Sequence, residues 1–211
     1  MIKGTPEKIA GRREEIINAC EKLYHTMSFK EITLKEIGTM LPFSRPTIYN
    51  YFQTKEEIFL ALFEREYVRW NADLTDILNG HDALSPRQLA ESIAQSLAKR
   101  TQLLKLLAMN NFDMEANSRV EILTSFKTAY GESLRLMRAL LQKYRPEMND
   151  AAIQRFLYIF FPFMFGIYPY TAVTEKQREA MRSAGVDYVY QSTEDLIRNC
   201  LLRLLGEKED T

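Results

Sequence analysis

The sequence predicts an all-α protein, and three observations carry that expectation. No stretch sustains the period-two alternation of a strand, whereas apolar residues recur at i, i+3, i+4 and i+7 through most of the chain. Helix-start signals repeat: Thr33 with Glu36, Thr54 with Glu57, Ser85-Pro86-Arg87-Gln88, and Thr174 with Gln177. Of the 211 residues, 46% are hydrophobic and only eight are glycine, so a core is available and tight nucleotide-binding turns are scarce. The expected organisation is a small three-helix head over residues 1–55 and a larger helical body over residues 56–211, with no internal repeat and no low-complexity linker.

The elements follow in order. Ile16, Ile17, Cys20, Leu23 and Tyr24 make the apolar stripe of a first helix. A second opens on the Thr33/Glu36 capping box and carries Ile37 and Leu41, with Gly38 placed where a neighbouring helix can approach closely. Pro42 should end it by pushing Leu41 out of the helical region. Ser44, Arg45, Pro46 and Thr47 open a third helix running through Ile48 to Phe52. Because Pro46 disfavours a helical residue before it, that helix is expected to begin at Pro46 with Arg45 as its cap. Thr54 and Glu57 open a long helix with Ile58, Phe59, Leu62, Phe63, Tyr67 and Trp70 on one face, ended by Asn79-Gly80. The helix capped by Ser85 carries Leu89, Ile93, Leu97 and Leu104. A loop is expected over residues 110–118, then a helix over 120–144 closed by Pro146. Residues 156–173 hold no charge, a length that raises a membrane span, but Pro162, Gly166, Pro169 and several tyrosines dilute the run and the expectation is burial in protein. Thr174 and Gln177 open a short helix ending near Gly185. Ser192 opens the last, with Ile197, Leu201 and Leu204 on its stripe, and the acidic tail from Glu207 should fray.

A short helix, a tight turn and a second short helix with polar residues at its start form the helix-turn-helix pattern, whose second helix enters the major groove of DNA. Ile16-Ile17-x-Ala19, Phe29-x-x-Ile32-Thr33, Ile37, Ser44-x-x-Thr47-Ile48-Tyr49-x-Tyr51-Phe52 and Lys55-Glu56-Glu57-Ile58 keep apolar, hydroxyl, aromatic and lysine positions in one register. With these residues the segment 12–62 resembles the DNA-binding domain of TetR-type transcriptional repressors. It departs from that pattern at Pro42, where the family carries the glycine of the turn, and at Pro46, where a small residue opens the recognition helix.

Charge agrees in sign. The chain is neutral overall, but residues 1–55 hold nine Lys or Arg against six Glu, a local +3 balanced by −3 in the remainder. Phosphate donors are expected at helix starts, Thr33 and Lys35 on the second helix and Thr54 and Lys55 on the fourth, where backbone N–H groups also favour anions. Lys3, Lys8 and Arg12 form a basic arm. Base contacts should come from Ser44, Arg45, Thr47, Asn50 and Tyr51, since arginine suits a guanine edge, asparagine an adenine edge and a threonine methyl a thymine. The resemblance implies phosphate roles for Lys55 and Tyr49; Ile48 and Phe52 read as core.

The body offers no G-x-S-x-G, no phosphate-cradling glycine loop and no H-E-x-x-H, so neither an enzyme nor a cofactor is expected. Cys20 and Cys200 lie on apolar stripes as free thiols that suit a reducing cytosol, and His25 and His81 are isolated from any metal-ligand cluster. With no charged-then-apolar leader, a cytoplasmic place without membrane contact is expected. Trp70, Met109, Phe112, Phe126, Tyr130, Met137, Phe161, Phe165 and Tyr168 read as core, and the resemblance implies that such side chains line a pocket for a small apolar effector. Tyr158 and Asn110 are further candidate anchors. For a homodimer on palindromic operator DNA, Ile153, Leu157, Phe160 and Met164 are expected to face Ile197, Leu201 and Leu204 of a second copy. The function expected is a homodimeric repressor released by that effector. The alternatives are a helical carrier of hydrophobic ligands, a constitutive DNA-binding regulator, and a helical-bundle enzyme.

Overall fold

The computed structural model describes residues 5–109 and 111–207. Lys3, Asn110 and the tail beyond Glu207 lie outside the described residues. Among those described there are eleven helices and no strand: α1 (Pro6–Thr26), α2 (Leu34–Thr39), α3 (Arg45–Ile48), α4 (Lys55–Gly80), α5 (Pro86–Ala98), α6 (Thr101–Leu107), α7 (Asn111–Ala116), α8 (Val120–Tyr144), α9 (Asp150–Thr171), α10 (Glu175–Ser183) and α11 (Thr193–Leu204).

The helices fall into two compact units. The first gathers the described residues of Met1–Arg65 and Asn110–Tyr130, the second those of Glu66–Met109 and Gly131–Thr211. The first unit holds the described residues of the 1–55 stretch expected as the head and extends past them. It takes in the first turns of α4 and, from far along the chain, α7 and the start of α8. Where a loop was expected over 110–118 the chain forms α7.

In the first unit the apolar stripe of α1 packs as its spacing requires: Ile16, Ile17, Cys20 and Tyr24 are buried, with Ile37, Ile48, Phe52, Ile58, Phe59, Leu62 and Phe63. Phe59 sits at their centre, edge-on to Tyr24 at 5.1 Å and to Phe29 at 4.8 Å between ring centroids, an arrangement that adds to area burial. Arg65 of α4 reaches α1 through Glu14 (3.2 Å), Glu21 (2.8 Å) and Asn18 (2.6 Å). The helix that approaches Gly38 is α3, whose Arg45 side chain would meet an added Cβ at 3.5 Å.

In the second unit Trp70 is fully buried and its indole N–H donates to Ser96 Oγ (3.1 Å), while Ser133 donates to Asn71 (2.6 Å), so these buried polar groups are satisfied. The last carbonyls of α4, which have no partner inside the helix, and that of His81 just beyond it accept from α8: Lys143 Nζ reaches Leu78 and His81 (2.7 Å each), and the Tyr144 hydroxyl lies within 3.2 Å of the carbonyls of Ile77, Leu78 and His81. The single helix expected through Leu104 is broken, because Arg100 leaves helical geometry (φ −96°, ψ 47°) and forks onto Asp73 at 2.6 Å.

The helix α9, charged only at Asp150 and Arg155, is long and apolar enough to cross a membrane by length and composition, yet it packs against α6 and α11 within this unit. Ile153, Phe156, Leu157, Phe160, Phe161, Met164 and Ile167 are buried on its inner side, while Tyr158 (72% exposed), Ile159, Phe165 and Tyr170 face outward. This corrects the expected dimer contact. Ile153, Leu157, Phe160, Met164, Ile197 and Leu201 are consumed in the core of a single chain and Leu204 is half-buried. The α9–α11 pairing expected between subunits is made within one.

Truncating Phe59 to alanine removes a fully buried ring and both edge contacts. The expected loss is about 3–5 kcal/mol of unfolding free energy, measured by chemical denaturation; a loss under 1 kcal/mol would place this ring outside the core.

Candidate nucleic-acid interface

The candidate surface is built on α3 and the turns flanking it. The second helix ends at Thr39, one residue before the last position that Pro42 leaves open, and residues 40–43 form the turn. Ser44 takes the cap position with extended backbone (φ −68°, ψ 147°), and Arg45, not Pro46, is the first helical residue. Pro46 is then the second residue of the helix, where its missing N–H has no intrahelical partner to lose. Residues 49–51 continue as tight turns, with the N–H groups of Tyr51 and Phe52 both donating to Ile48 O at 2.9 Å. The helix expected through Phe52 is thus one short α-turn with a tightened end.

Ile48 and Phe52 point inward and are fully buried. On the opposite side Ser44, Arg45, Tyr49 and Asn50 are exposed, and Thr47 and Tyr51 are half-buried. Arg45 donates to the Tyr49 hydroxyl (3.3 Å), one turn away on the same face, and the Ser44 and Thr47 hydroxyls lie 3.3 Å apart. A guanidinium, a carboxamide and three hydroxyls on one exposed face make up the donor and acceptor set that reads base edges.

The expected phosphate donors are placed less uniformly. Thr33 caps α2 by accepting from the N–H groups of Lys35 (3.2 Å) and Glu36 (3.4 Å), and its own hydroxyl donates to the Glu36 carboxylate. The Lys35 side chain is exposed beside it. Thr54 accepts from Glu57 N–H (3.2 Å) and donates to Asn117 O (2.9 Å). The Lys55 ammonium donates to the carbonyls of Phe29 (2.8 Å) and Ile32 (3.1 Å) and stands 4.1 Å from the Phe29 ring centroid, so two of its three donors already hold the segment before α2. Lys8 and Arg12 lie in α1, with the Arg12 guanidinium over the Phe43 ring at 5.6 Å, and so belong to a helix instead of an extended arm.

Glu57, read from sequence as a capping residue and as part of the Lys55-Glu56-Glu57-Ile58 motif, turns out to be the hub. Its carboxylate is fully buried. It accepts from Gln53 N–H (2.7 Å) and, 62 residues on in the chain, from Arg119 Nε (2.7 Å), a second guanidinium nitrogen (2.8 Å) and the Arg119 N–H (3.1 Å). That same guanidinium nitrogen donates to Tyr51 O (3.0 Å). Burial alone would raise the Glu57 pKa, but the Arg119 side chain, the two N–H groups and the guanidinium charge outweigh it and hold the carboxyl below its ordinary value. Nothing in the local sequence signals Arg119, because a lone arginine between helices has no periodicity to read.

Burial pushes the Cys20 thiol up and that of Cys200 to about 11, so neither is a thiolate at neutral pH. The nine expected pocket residues are divided between the two units. Phe112, Phe126 and Tyr130 belong to the first unit, where Phe126 packs on Phe63 (4.8 Å) and Phe112 is 86% exposed. Trp70, Met137 and Phe161 are buried in the second, Met109 and Tyr168 are half-buried there, and Phe165 faces outward. Two open cavities of about 490 and 370 Å³ are bounded by α10, residues 186–190 and the end of α9, and none of the nine lines either.

An exposed polar face on the second helix of a helix-turn-helix, carried by a head rich in lysine and arginine, defines a DNA-binding regulator. Residues 16–62 match the family model for bacterial regulatory proteins of the tetR family, and residues 64–205 match the tetracyclin repressor-like C-terminal domain; the chain belongs to the TetR family of transcriptional regulators. It is 24% identical over 134 residues to the HTH-type transcriptional repressor NicS of Pseudomonas putida, a stretch covering 62% of this chain and 61% of that protein. Among solved structures it resembles the fatty acid degradation regulator FadR of Bacillus halodurans (TM-score 0.57, 15% identity, 97% of each chain). It also resembles a TetR-family regulator from Mesorhizobium loti (TM-score 0.59, 16% identity, 94% of this chain and 96% of that one). These two likenesses show the fold.

The depressed Glu57 pKa carries a sign. The stability it contributes is fully present above its unfolded value, about 4.3, and is lost as pH falls from there through the folded value. Chemical denaturation over a pH series should therefore show a loss on acidification below about pH 4.3 that is shallower in Glu57→Gln. Identical acid slopes for the two proteins would remove the pair from the account.

Proposed function

We propose that this regulator is a homodimeric repressor that reads operator DNA with Arg45, Asn50, Ser44, Thr47 and Tyr51, holds phosphates with Lys35, Tyr49, Thr33, Thr54 and the third donor of Lys55, and is released by a small apolar effector. The observation that carries the reading is the two-sided third helix, with Ile48 and Phe52 buried behind an exposed face of Arg45, Tyr49 and Asn50. Repression, over activation, is supported by the name of the matched relative NicS. Effector binding is assigned to the second unit on the strength of the C-terminal family match and of the aromatic core around Trp70 and Phe161, whose rings lie 6.1 Å apart. No catalytic group, cofactor or membrane enters the reading, and the protein acts in the cytoplasm.

Phosphate and base contacts separate by their dependence on salt and sequence. Lys35→Ala should weaken binding to every duplex alike and lower the salt slope by about one, whereas Asn50→Ala should cost about 1–3 kcal/mol at particular operator positions and leave the slope unchanged. Fluorescence anisotropy on operator and scrambled duplexes at several salt concentrations separates the two. The reverse pattern would exchange the roles.

The dimer is assigned to the outer side of α9. Tyr158, Ile159, Phe165 and Tyr170 form an uncharged, exposed apolar face that a second copy would cover around a two-fold axis. Ile159→Asp places a charge in that face and should shift the protein from dimer to folded monomer in sedimentation at micromolar concentration, with operator affinity falling in parallel. A variant that stays dimeric would move the interface elsewhere.

A further inference from the structure

Residues 117–119 are fastened to the end of the helix-turn-helix by five hydrogen bonds to three residues, Tyr51, Thr54 and Glu57. Asn117 O accepts from the Thr54 hydroxyl (2.9 Å). Arg119 Nε and a second guanidinium nitrogen donate to the Glu57 carboxylate (2.7 and 2.8 Å), as does the Arg119 N–H (3.1 Å). The guanidinium also donates to Tyr51 O (3.0 Å). Glu57 in turn accepts the N–H of Gln53 (2.7 Å). The backbone immediately after α3 is thereby bonded at residues 51 and 53 to one buried ion pair, at the two groups that an α-helix of normal length would have used internally. Because α3 is a single turn, it has little cooperativity of its own to set its direction. A planar guanidinium with several donors in fixed geometry supplies that direction, which a lysine, a point charge on a flexible stem, cannot reproduce.

We infer that Arg119 is a positioning residue for DNA reading, fixing the orientation of the recognition turn through Tyr51 O and through Glu57 and Gln53. The inference rests on the assignment of the exposed face of α3 to base reading. Arg119 is the residue directly before α8, and Leu123 N–H donates to its carbonyl (3.1 Å). The recognition turn is thus held by the residue that leads into a helix running on into the part of the chain assigned above to effector binding. Any effector that displaces the start of α8 acts on α3 through these bonds.

The test uses full-length protein and a duplex that the wild type enriches from a random-sequence pool, at fixed salt and well below each variant's unfolding temperature. Arg119→Met should lower affinity for the selected duplex by about tenfold while affinity for a scrambled duplex and the salt slope stay as in wild type. Arg119→Lys should recover part of that loss. A merely structural role would lower the melting temperature without moving the ratio of the two affinities. Where Arg119→Met fails to fold, Glu57→Gln/Arg119→Met, which leaves no buried charge unpaired, is measured in its place. A ratio within twofold of wild type overturns the inference, and so does a parallel loss on both duplexes, which would make Arg119 a phosphate contact. A wild type that enriches no sequence overturns the base-reading assignment and the inference with it.

Discussion

The first unit depends on the burial of one carboxylate. A charge with no exposed surface is tolerated only when its lone pairs are filled and its charge is met, and Glu57 is filled from three directions, by Gln53 N–H, by the Arg119 side chain and by the Arg119 N–H. Removing one partner of such a pair costs on the order of 3–5 kcal/mol, toward the lower end here because Arg119 remains 39% exposed. Satisfying this one group requires α4 to start where it does. It also requires residues 51–53 to leave helical geometry and residues 117–119 to return across more than 60 residues of chain. The apolar core around Phe59 would stabilise many arrangements of α1–α4; the Glu57 pair selects among them, as hydrogen-bonded buried groups do when every member is satisfied.

The same economy appears where α4 ends. Its first turn is occupied by Thr54 and Glu57, and its last carbonyls are occupied by Lys143 and Tyr144. The start of the 26-residue helix is capped locally by Thr54, and Arg119 reaches the Glu57 side chain there, while the carbonyls at its far end are met by α8. Lys55 shows a similar economy: its ammonium serves the carbonyls of Phe29 and Ile32 and stands over the Phe29 ring. A lysine used in this way has one donor left for a phosphate. In the proposed interface, Lys35, exposed beside the cap of α2, would therefore carry more of the electrostatic contact than the family pattern alone would suggest.

Local chemistry was legible in the sequence and distant partnership was not. Thr33, Thr54, Ser85 and Thr174 all cap the helices expected of them, because a cap involves residues three apart. Gly185, at φ 66°, closes α10 where its lack of a side chain is needed. The two-sidedness of α3 followed from period 3.6, and so did the inner stripes of α1 and α11. The break between α5 and α6 escaped because its cause, Asp73 holding Arg100, lies 27 residues away. The direction of α3's first residue was misjudged because a proline at the second helical position is as well accommodated as one at the first. Arg119 carries no pattern at all, and α7 replaced a loop whose polar residues gave no stripe to count.

The dimer residues show the limit most plainly. Periodicity identifies which residues are buried but not which chain covers them, and the stripe of Ile153, Leu157, Phe160 and Met164 is covered by α6 and α11 of its own chain. The outer side of α9 is the one the proposed dimer would cover, and its chemistry constrains how that could be done. Pro162 and Pro169 both lie on this exposed side, and neither has an N–H to give the carbonyl four residues earlier. The helical bonds to Tyr158 O and Phe165 O are therefore missing on the face proposed for contact. Outside a dimer, water satisfies both. Inside one, each must meet a donor or keep its water, since a buried carbonyl without a partner costs about 1–3 kcal/mol. The tyrosine hydroxyls of Tyr158 and Tyr170 are the donors that a two-fold axis would bring back onto the same face. An interface built here is thus apolar in its middle and tied or wet at two fixed points, which sets its register as well as its area.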